Sequence, residues 1–221
     1  MALDTLTQEP FGQRELEIVE ARFKEKVPNL ILDKTDWARF GFALELMAGS
    51  SVADIGTGHG VMVNAVADSK QFSRVSAFDI RTHSQALIHD AVDYYEGSIA
   101  DPNLDMPLHD TVVCMEVVEH LEEQHNEVML ANLRRLAKRR LIVTVPYDEP
   151  EPLWWHDKPG GHRQKFDDEK LARLFPNAIA AKQPRYGVDW IFIVEDTRIS
   201  PPQFTEMTKD EMRSWLGASA I

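Results

Sequence analysis

The sequence predicts an α/β fold, a doubly wound and mostly parallel sheet with helices on both faces. Short apolar runs rich in β-branched residues alternate with helical segments of about 10 to 15 residues, which is typical of crossover connections between parallel strands. A glycine-rich turn, "GTGHG", joins the first of these runs to a helix. Only a turn separates the last two runs, which favours an antiparallel hairpin at the end of the sheet.

The expected elements alternate along the chain after two initial helices. We expect helices over residues 13–25, 34–49, 61–69 and 166–175, and a mostly helical connection over 81–95. Strands are expected over 50–56, 74–80, 94–101 and 140–147, with two more inside 179–196. Residues 110–120 hold the fourth strand, which we expect to run into a helix that continues to about Arg140. The prediction is therefore a seven-stranded sheet whose last strand is antiparallel.

Composition and charge weigh against several classes of partner. The chain has 221 residues and a formal net charge of -12, whereas duplex nucleic acid requires clustered Lys and Arg. The basic residues at 134–140 fall where a helix is expected to end and would complement its dipole; an RNA-binding patch is the alternative. With a single cysteine, no signal-peptide pattern and no apolar run of membrane-spanning length, we expect a cytoplasmic protein without membrane contact.

The glycine-rich turn predicts a nucleoside site. Alternate glycines follow the first strand: Gly56, Gly58 and Gly60. A dinucleotide fingerprint would place a glycine where Val61 stands, so an NAD site is disfavoured. With Asp54 ahead of it, the turn suits a ligand whose amino and carboxylate ends lie against a helix N-terminus, and Asp79 can accept both hydroxyls of a ribose. A turn that only lets strand and helix pack closely is the alternative.

The segments "VADIGTGHG", "AFDI" and "CMEVVEHL" make residues 51–147 resemble the class I S-adenosylmethionine-dependent methyltransferases. The resemblance implies a Rossmann-like fold and one methyltransferase domain, with 1–49 as a helical cap and 50–221 as the catalytic core. It also implies S-adenosyl-L-methionine as cofactor, with its methionine part near Asp54, its ribose at Asp79 and its adenine beside Ser98, where many family members carry an acid. The full set of implied cofactor-binding residues is Asp54, Gly56, Thr57, Gly58, Gly60, Asp79, Ile80, Ser98, Ile99, Met115 and Glu116.

A second group follows the fourth strand. Glu116, Glu119 and His120 are spaced i, i+3, i+4, so a helix beginning at Glu116 would place them on one face. Two carboxylates and an imidazole can hold Mg²⁺ or Mn²⁺, which would activate one of two vicinal hydroxyls. The group resembles a metal-binding signature of the ubiquinone-biosynthesis O-methyltransferases and the small-RNA 2′-O-methyltransferases. In the latter a further histidine comes from beyond the fifth strand, and His162, or else His156, fits that place.

Two other roles for these residues stay open. In a metal-free enzyme His120 would act as a general base. In the other alternative the group has only a structural role, because acids in the first turn of a helix are stabilised by its dipole. Glu116, Glu119, His120 and His162 are thus the candidate catalytic and metal-binding residues.

The loop after the fifth strand is the candidate acceptor site. Its proline- and tryptophan-rich sequence suits an apolar ring or a sugar face, although Trp154 and Trp155 would equally serve to anchor the loop on the core. Its layout resembles methyltransferases that act on bacterial oligosaccharides. We therefore expect O-methylation of a small-molecule or saccharide hydroxyl. Methylation of an RNA 3′ end and a non-catalytic S-adenosylmethionine-binding protein are the alternatives. The sequence predicts no oligomeric state.

Overall fold

In the computed structural model, which describes residues 34–81, 88–185 and 187–217, an eight-stranded sheet carries helices on both faces. The strands are β1 (Ser51–Ile55), β2 (Arg74–Asp79), β3 (Asp93–Glu96), β4 (His109–Met115), β5 (Ala137–Pro146), β6 (Ile179–Gln183), β7 (Trp190–Asp196) and β8 (Thr205–Glu206). The helices are α1 (Lys34–Leu46), α2 (Val61–Ser69), α3 (Asn126–Leu136), α4 (Asp168–Leu174) and α5 (Lys209–Trp215). Two 3₁₀ turns, Val118–His120 and Glu123–His125, lie between β4 and α3.

The strand order positions the site. It runs β3-β2-β1-β4-β5-β7-β6-β8, and β7 pairs antiparallel with both of its neighbours while the other pairings are parallel. The chain moves outward from β1 to β3 and then returns to β4 on the other side of β1. In open α/β sheets a ligand binds at such a reversal, beside the carboxyl ends of the strands.

Both faces of the sheet are covered by apolar side chains. Val52 of β1 belongs to a core that includes side chains of α1, α2 and α5, whereas its neighbour Ala53 faces a second core built with α3 and α4. Every residue of β1 is buried, as expected for a central parallel strand covered on both sides.

A buried ion pair links the neighbouring strands β5 and β7. The Arg140 guanidinium in β5 donates to Asp196 of β7 at 2.7 Å and to the carbonyl oxygens of Leu46 and Leu216, where α1 and α5 end. Arg140 thus connects two strands with two helix ends.

The predicted mostly parallel sheet with an antiparallel β7 is confirmed, but three details of the prediction are wrong. The helix expected to reach Arg140 ends at Leu136, because residues 137–140 pair in the sheet as the start of β5. The third strand is shorter than expected, and residues 88–92 before it form turns. The edge strand β8 and helix α5 were not expected, since a two-residue strand carries almost no periodic signal.

The expected helix over residues 13–25 lies outside the described residues, as does the segment 82–87 of the expected helical connection. Among the described residues, the helices are too short or too polar to cross a bilayer.

Candidate functional site

Two adjoining cavities open where the sheet reverses direction, and they share Gly56. The larger has a volume of about 500 Å³ and lies beside the ends of β2 and β4, with Asp79, Ser98 and Glu116 in its wall. The smaller, about 140 Å³, lies under α1 and is lined by Arg39, Asp54, Thr57 and Met115 among others. A long ligand lying across Gly56 would reach both.

The glycine turn is shaped by the protein itself as well as by any ligand. Gly56 has φ 73°, and a Cβ on it would lie 2.2 Å from Cγ2 of Val117. Gly60 has φ 80°, and a Cβ there would lie 2.3 Å from Cδ1 of Ile88. Only the middle glycine, Gly58, would meet nothing closer than 3.8 Å. The alternative in which the turn permits close packing therefore accounts for Gly56 and Gly60.

Asp79 ends β2 with a nearly buried carboxylate. One oxygen accepts from the backbone N–H of Gly58 at 2.8 Å, and the other accepts from the backbone and side-chain N–H groups of Arg81 at 3.0 and 3.1 Å. The Arg81 side chain is 51% exposed, so it can move away when hydroxyl groups replace its hydrogen bonds. Asp79 thus links the glycine turn to the larger cavity.

Asp54 and Arg39 form the polar part of the smaller cavity. Asp54 is buried and accepts from the hydroxyl of Thr57 at 2.8 Å, and burial raises its pKa to about 6. The Arg39 side chain is 9% exposed, and its Nε and Nη1 make no hydrogen bond within the described part of the chain. Its Nη2 donates to Asp36 at 3.3 Å. The buried Asp54 carboxyl suits a cationic group of a ligand, and the Nε and Nη1 donors of Arg39 suit an anionic one.

Glu116 leaves β4 in the left-handed region, with φ 55°. This backbone stops a helix from beginning there, so the expected helical face shared with Glu119 and His120 does not form. The Glu116 carboxylate instead accepts from the Thr144 hydroxyl at 2.9 Å and lies 3.3 Å from Nη1 of Arg39. Glu116 therefore lines the larger cavity and is not part of the group formed by Glu119, His120 and His162.

Glu119, His120 and His162 do come together. One ligand atom of each lies within 4.8 Å of the others, as expected for a metal centre, while His156 is exposed and is not part of this group. Glu119 is 1% exposed, and neither carboxylate oxygen has a hydrogen-bond partner among the described residues. Burial, together with the charge of Glu116, raises the pKa of Glu119 well above its usual value. Such a carboxylate is costly unless a cation or a proton neutralises it.

The residues around His162 fix its orientation. Its Nδ1 lies 2.5 Å from a carboxylate oxygen of Glu149, a side chain that is itself buried. The other Glu149 oxygen accepts from the backbone N–H of Trp154 at 3.0 Å. Because Nδ1 is engaged with Glu149, Nε2 is the ring atom left to bind a metal or accept a proton.

The buried side chain of Gln164 connects the two chain segments that carry Glu119, His120 and His162. The Gln164 side-chain amide donates to the carbonyl oxygens of Val118 and Leu121 at 2.9 Å, and exchanges a pair of hydrogen bonds with the Asn126 side chain. The neighbouring backbone N–H of Arg163 donates to the carbonyl oxygen of Glu119 at 2.7 Å. The segment that carries His162 is therefore joined directly to the turn that carries Glu119.

The tryptophans of the loop between β5 and α4 (residues 147–167, the post-β5 loop) do not anchor it on the core. Trp154 and Trp155 are 48% and 59% exposed, and their rings stack on each other with centroids 4.6 Å apart and an angle of 7°. The neighbouring Leu153 is buried. Cys114, in contrast, is wholly buried in β4 as expected, and burial raises the pKa of its thiol.

Most residues expected at the cofactor site line the two cavities: Asp54, Gly56, Thr57, Asp79, Ile80, Ser98, Ile99, Met115 and Glu116. Gly58 and Gly60 shape the turn behind that wall. Sequence reasoning missed Arg39, Arg81 and Glu149. Arg39 carried a usable signal, since a cation next to Phe40 in an amphipathic helix is unusual on a buried face.

Comparisons with known proteins identify the family and the fold of the chain. A family model described as "Methyltransferase domain" matches residues 23–178. A comparison with curated protein sequences found no match.

Solved structures share the fold at low sequence identity. N-methyltransferase NodS from Bradyrhizobium japonicum WM9, in complex with S-adenosyl-L-homocysteine, is 15% identical with a TM-score of 0.59, over 81% of this chain and 96% of that one. TehB from Haemophilus influenzae is 14% identical with a TM-score of 0.58, over 80% of this chain and 66% of that one, just under two thirds of its length. The methyltransferase domain of bacterial CtHen1 is 15% identical with a TM-score of 0.53, over 83% of this chain and 98% of that one.

Proposed function

The chain belongs to the methyltransferase-domain family, and we propose that it transfers a methyl group from S-adenosylmethionine to a hydroxyl oxygen of a small molecule or saccharide, assisted by a divalent cation. The observation that carries the divalent cation is the buried Glu119 carboxylate, which has no hydrogen-bond partner among the described residues and lies 3.8 Å from Nε2 of His120 and beside His162.

The two cavities suit the cofactor in size and chemistry. Asp79 would bind the ribose hydroxyls once Arg81 moves aside, and Ser98 and Ile99 lie in the wall expected for the adenine. Asp54 would face the methionyl ammonium. The Nε and Nη1 donors of Arg39, which make no hydrogen bond among the described residues, would bind the methionyl carboxylate. NodS in complex with S-adenosyl-L-homocysteine shows that this fold accommodates such a ligand.

The residues beyond the cofactor cavity suit a divalent transition-metal cation. Glu119, His120 and His162 offer one carboxylate and two imidazole ligands, a set that fits Mn²⁺ better than Mg²⁺, which prefers oxygen ligands. When bound, the cation supplies a Lewis acid that favours deprotonation of an adjacent hydroxyl. Burial also lowers the pKa of His120, so its imidazole is neutral near pH 7 and its lone pair is available.

The chain's own contribution to methyl transfer is positioning. Transfer from a sulfonium is a direct displacement, so the acceptor oxygen must lie in line with the methyl carbon and must have lost its proton. His120 lines the larger cavity and also contacts His162, so a cation held by these residues would lie beside a cofactor bound in that cavity. Glu149 orients the His162 ring, and Gln164 fixes the segment that carries His162 against the turn that carries Glu119. The acceptor would enter along the post-β5 loop.

Calorimetry and metal binding test the proposal separately. We expect S-adenosylhomocysteine to bind and NAD to show no heat. In an electron paramagnetic resonance titration with Mn²⁺, His162→Ala should weaken binding by about tenfold or more, since it removes one of three ligands. His156→Ala is the matched control, because that exposed histidine lies in the same loop outside the group. Tight NAD binding without a response to S-adenosylhomocysteine would refute the assignment. Full activity in EDTA would refute the metal.

A further inference from the structure

Four aromatic rings form a continuous ridge from the surface to the candidate metal ligands. The Trp155 ring stacks on Trp154, whose ring centroid lies 5.1 Å from that of His162. The His162 ring in turn lies 5.1 Å from the ring of His120. The outer end of this aromatic ridge is half exposed, and its inner end borders the larger cavity. A ligand that reached the cavity along the ridge would contact both ends.

The loop is held in place by contacts that do not use the tryptophan rings. Leu153 is buried, the Trp154 backbone N–H donates to Glu149, and the Trp154 carbonyl oxygen accepts from the backbone N–H of His162 at 2.9 Å. The Arg163 guanidinium donates to the carbonyl oxygens of His156 and Lys158. The loop therefore does not need the exposed face of Trp155 for its own packing, and that face is open to a ligand.

The charges around the ridge favour a neutral ligand. Within the described loop, Lys158 lies 3.5 Å from Asp157, Lys165 lies 2.6 Å from Asp148, and Arg163 is bound to backbone carbonyl oxygens. Each of these cations already has a partner in the loop. Phosphate groups of a nucleic acid would need cations to replace their counter-ions, so the ridge suits a ring without charge.

We propose that the Trp154–Trp155 pair, through the outward face of Trp155, binds a neutral pyranose ring other than the one that is methylated, so that the acceptor is an oligosaccharide with at least two rings. This inference rests on the proposed function. The apolar C–H face of a pyranose covers an indole ring well, whereas the vicinal hydroxyls of the terminal ring would lie at His120 and His162. The separation of the two ends of the ridge then selects for acceptor length.

The test uses methyl transfer from labelled S-adenosylmethionine to neutral gluco-, manno- and galacto-oligosaccharides of one, two and four rings, with Mn²⁺ present. For the wild type, kcat/KM should rise by about tenfold from one ring to two, the size of one good aromatic contact. Trp154→Ala and Trp155→Ala should remove that rise through KM, so that the ratio of kcat/KM between the two-ring and the one-ring acceptor falls to about one in each variant. Trp215→Ala is the matched control, because Trp215 is 42% exposed on α5 and lies outside the ridge.

The outcomes distinguish an error in the proposed acceptor from an error in the proposed function. Equal use of one- and two-ring acceptors, a length dependence that survives both substitutions, or methylation of RNA oligonucleotides in preference to saccharides would each overturn the proposed acceptor. So would a lack of transfer to any saccharide in a protein that binds S-adenosylhomocysteine. Failure to bind S-adenosylhomocysteine would instead overturn the proposed function itself.

Discussion

Replacing Arg39 by methionine should weaken the binding of S-adenosylhomocysteine while sparing ligands that lack its amino-acid end. The guanidinium is almost buried, with Nε and Nη1 making no hydrogen bond to the described residues, and it lines the cavity that contains Asp54. Methionine keeps apolar contact with the Trp190 ring, which the guanidinium covers at 4.2 Å, so the substitution removes charge with little loss of packing.

The neighbours of Arg39 determine how much binding free energy the Arg39→Met substitution should cost. A hydrogen bond to a charged group contributes about 1.5–3 kcal/mol, and burial favours the upper part of that range. Glu116 and Asp36, each 3.3 Å away, already neutralise part of the charge, which favours the lower part. We therefore expect a loss of about 2 kcal/mol, or roughly 30-fold in Kd.

Isothermal titration calorimetry with two ligands checks this prediction. S-adenosylhomocysteine carries the methionyl carboxylate, whereas 5′-methylthioadenosine keeps the nucleoside and lacks the carboxylate. Arg39→Met should weaken only the first, and Arg39→Lys should lie between, because an ammonium keeps the charge without the planar fork. An equal loss for both ligands, or no loss for either, would refute the placement of the carboxylate at Arg39.

Three further predictions concern charge and packing. Because the pKa of Asp54 is raised to about 6 and the ligand ammonium requires a carboxylate, S-adenosylhomocysteine affinity should fall about tenfold per pH unit below 6, a dependence that Asp54→Asn should abolish in calorimetry. Gly56→Ala should cost about 2–4 kcal/mol in urea unfolding, from its positive φ and the clash with Val117, and Val117→Ala should restore part of it; an unchanged stability would contradict the geometry. Asp196→Asn should cost about 3–5 kcal/mol by leaving the buried Arg140 charge unpaired, whereas replacing both residues by Met and Leu should recover much of that loss; a cost below about 1 kcal/mol would count against the pair.

The sequence predicted the central sheet because its strands carry strong local signals. Residues 51–55 and 74–79 are buried β-branched or small-residue runs next to a glycine turn, and both strands formed where expected. Asp79 was placed correctly at the end of β2, since a strand's last residue is fixed by where the turn begins. Chemistry at the carboxyl edge of a parallel sheet is therefore readable from strand boundaries alone.

The features that the sequence did not predict depend on contacts between residues distant along the chain. The start of β5 at residues 137–140 reads as helix locally, but Arg140 finds its partner in Asp196 and is drawn into the sheet. The left-handed conformation of Glu116 is equally invisible in the sequence, and it changed the expected arrangement of carboxylates at the end of β4. Glu149 contacts His162, and Gln164 contacts the carbonyl oxygen of Val118, through the path that the post-β5 loop takes in the fold. No spacing rule in the sequence could have identified these two residues.

The most direct test of the account is a crystal structure of the protein with S-adenosylhomocysteine and Mn²⁺, with anomalous diffraction to locate the metal. The account predicts the ribose hydroxyls on Asp79, the methionyl carboxylate at Arg39, and an anomalous peak between Glu119, His120 and His162. S-adenosylhomocysteine outside the two cavities, or those three side chains without a peak while the cofactor site is full, would contradict it.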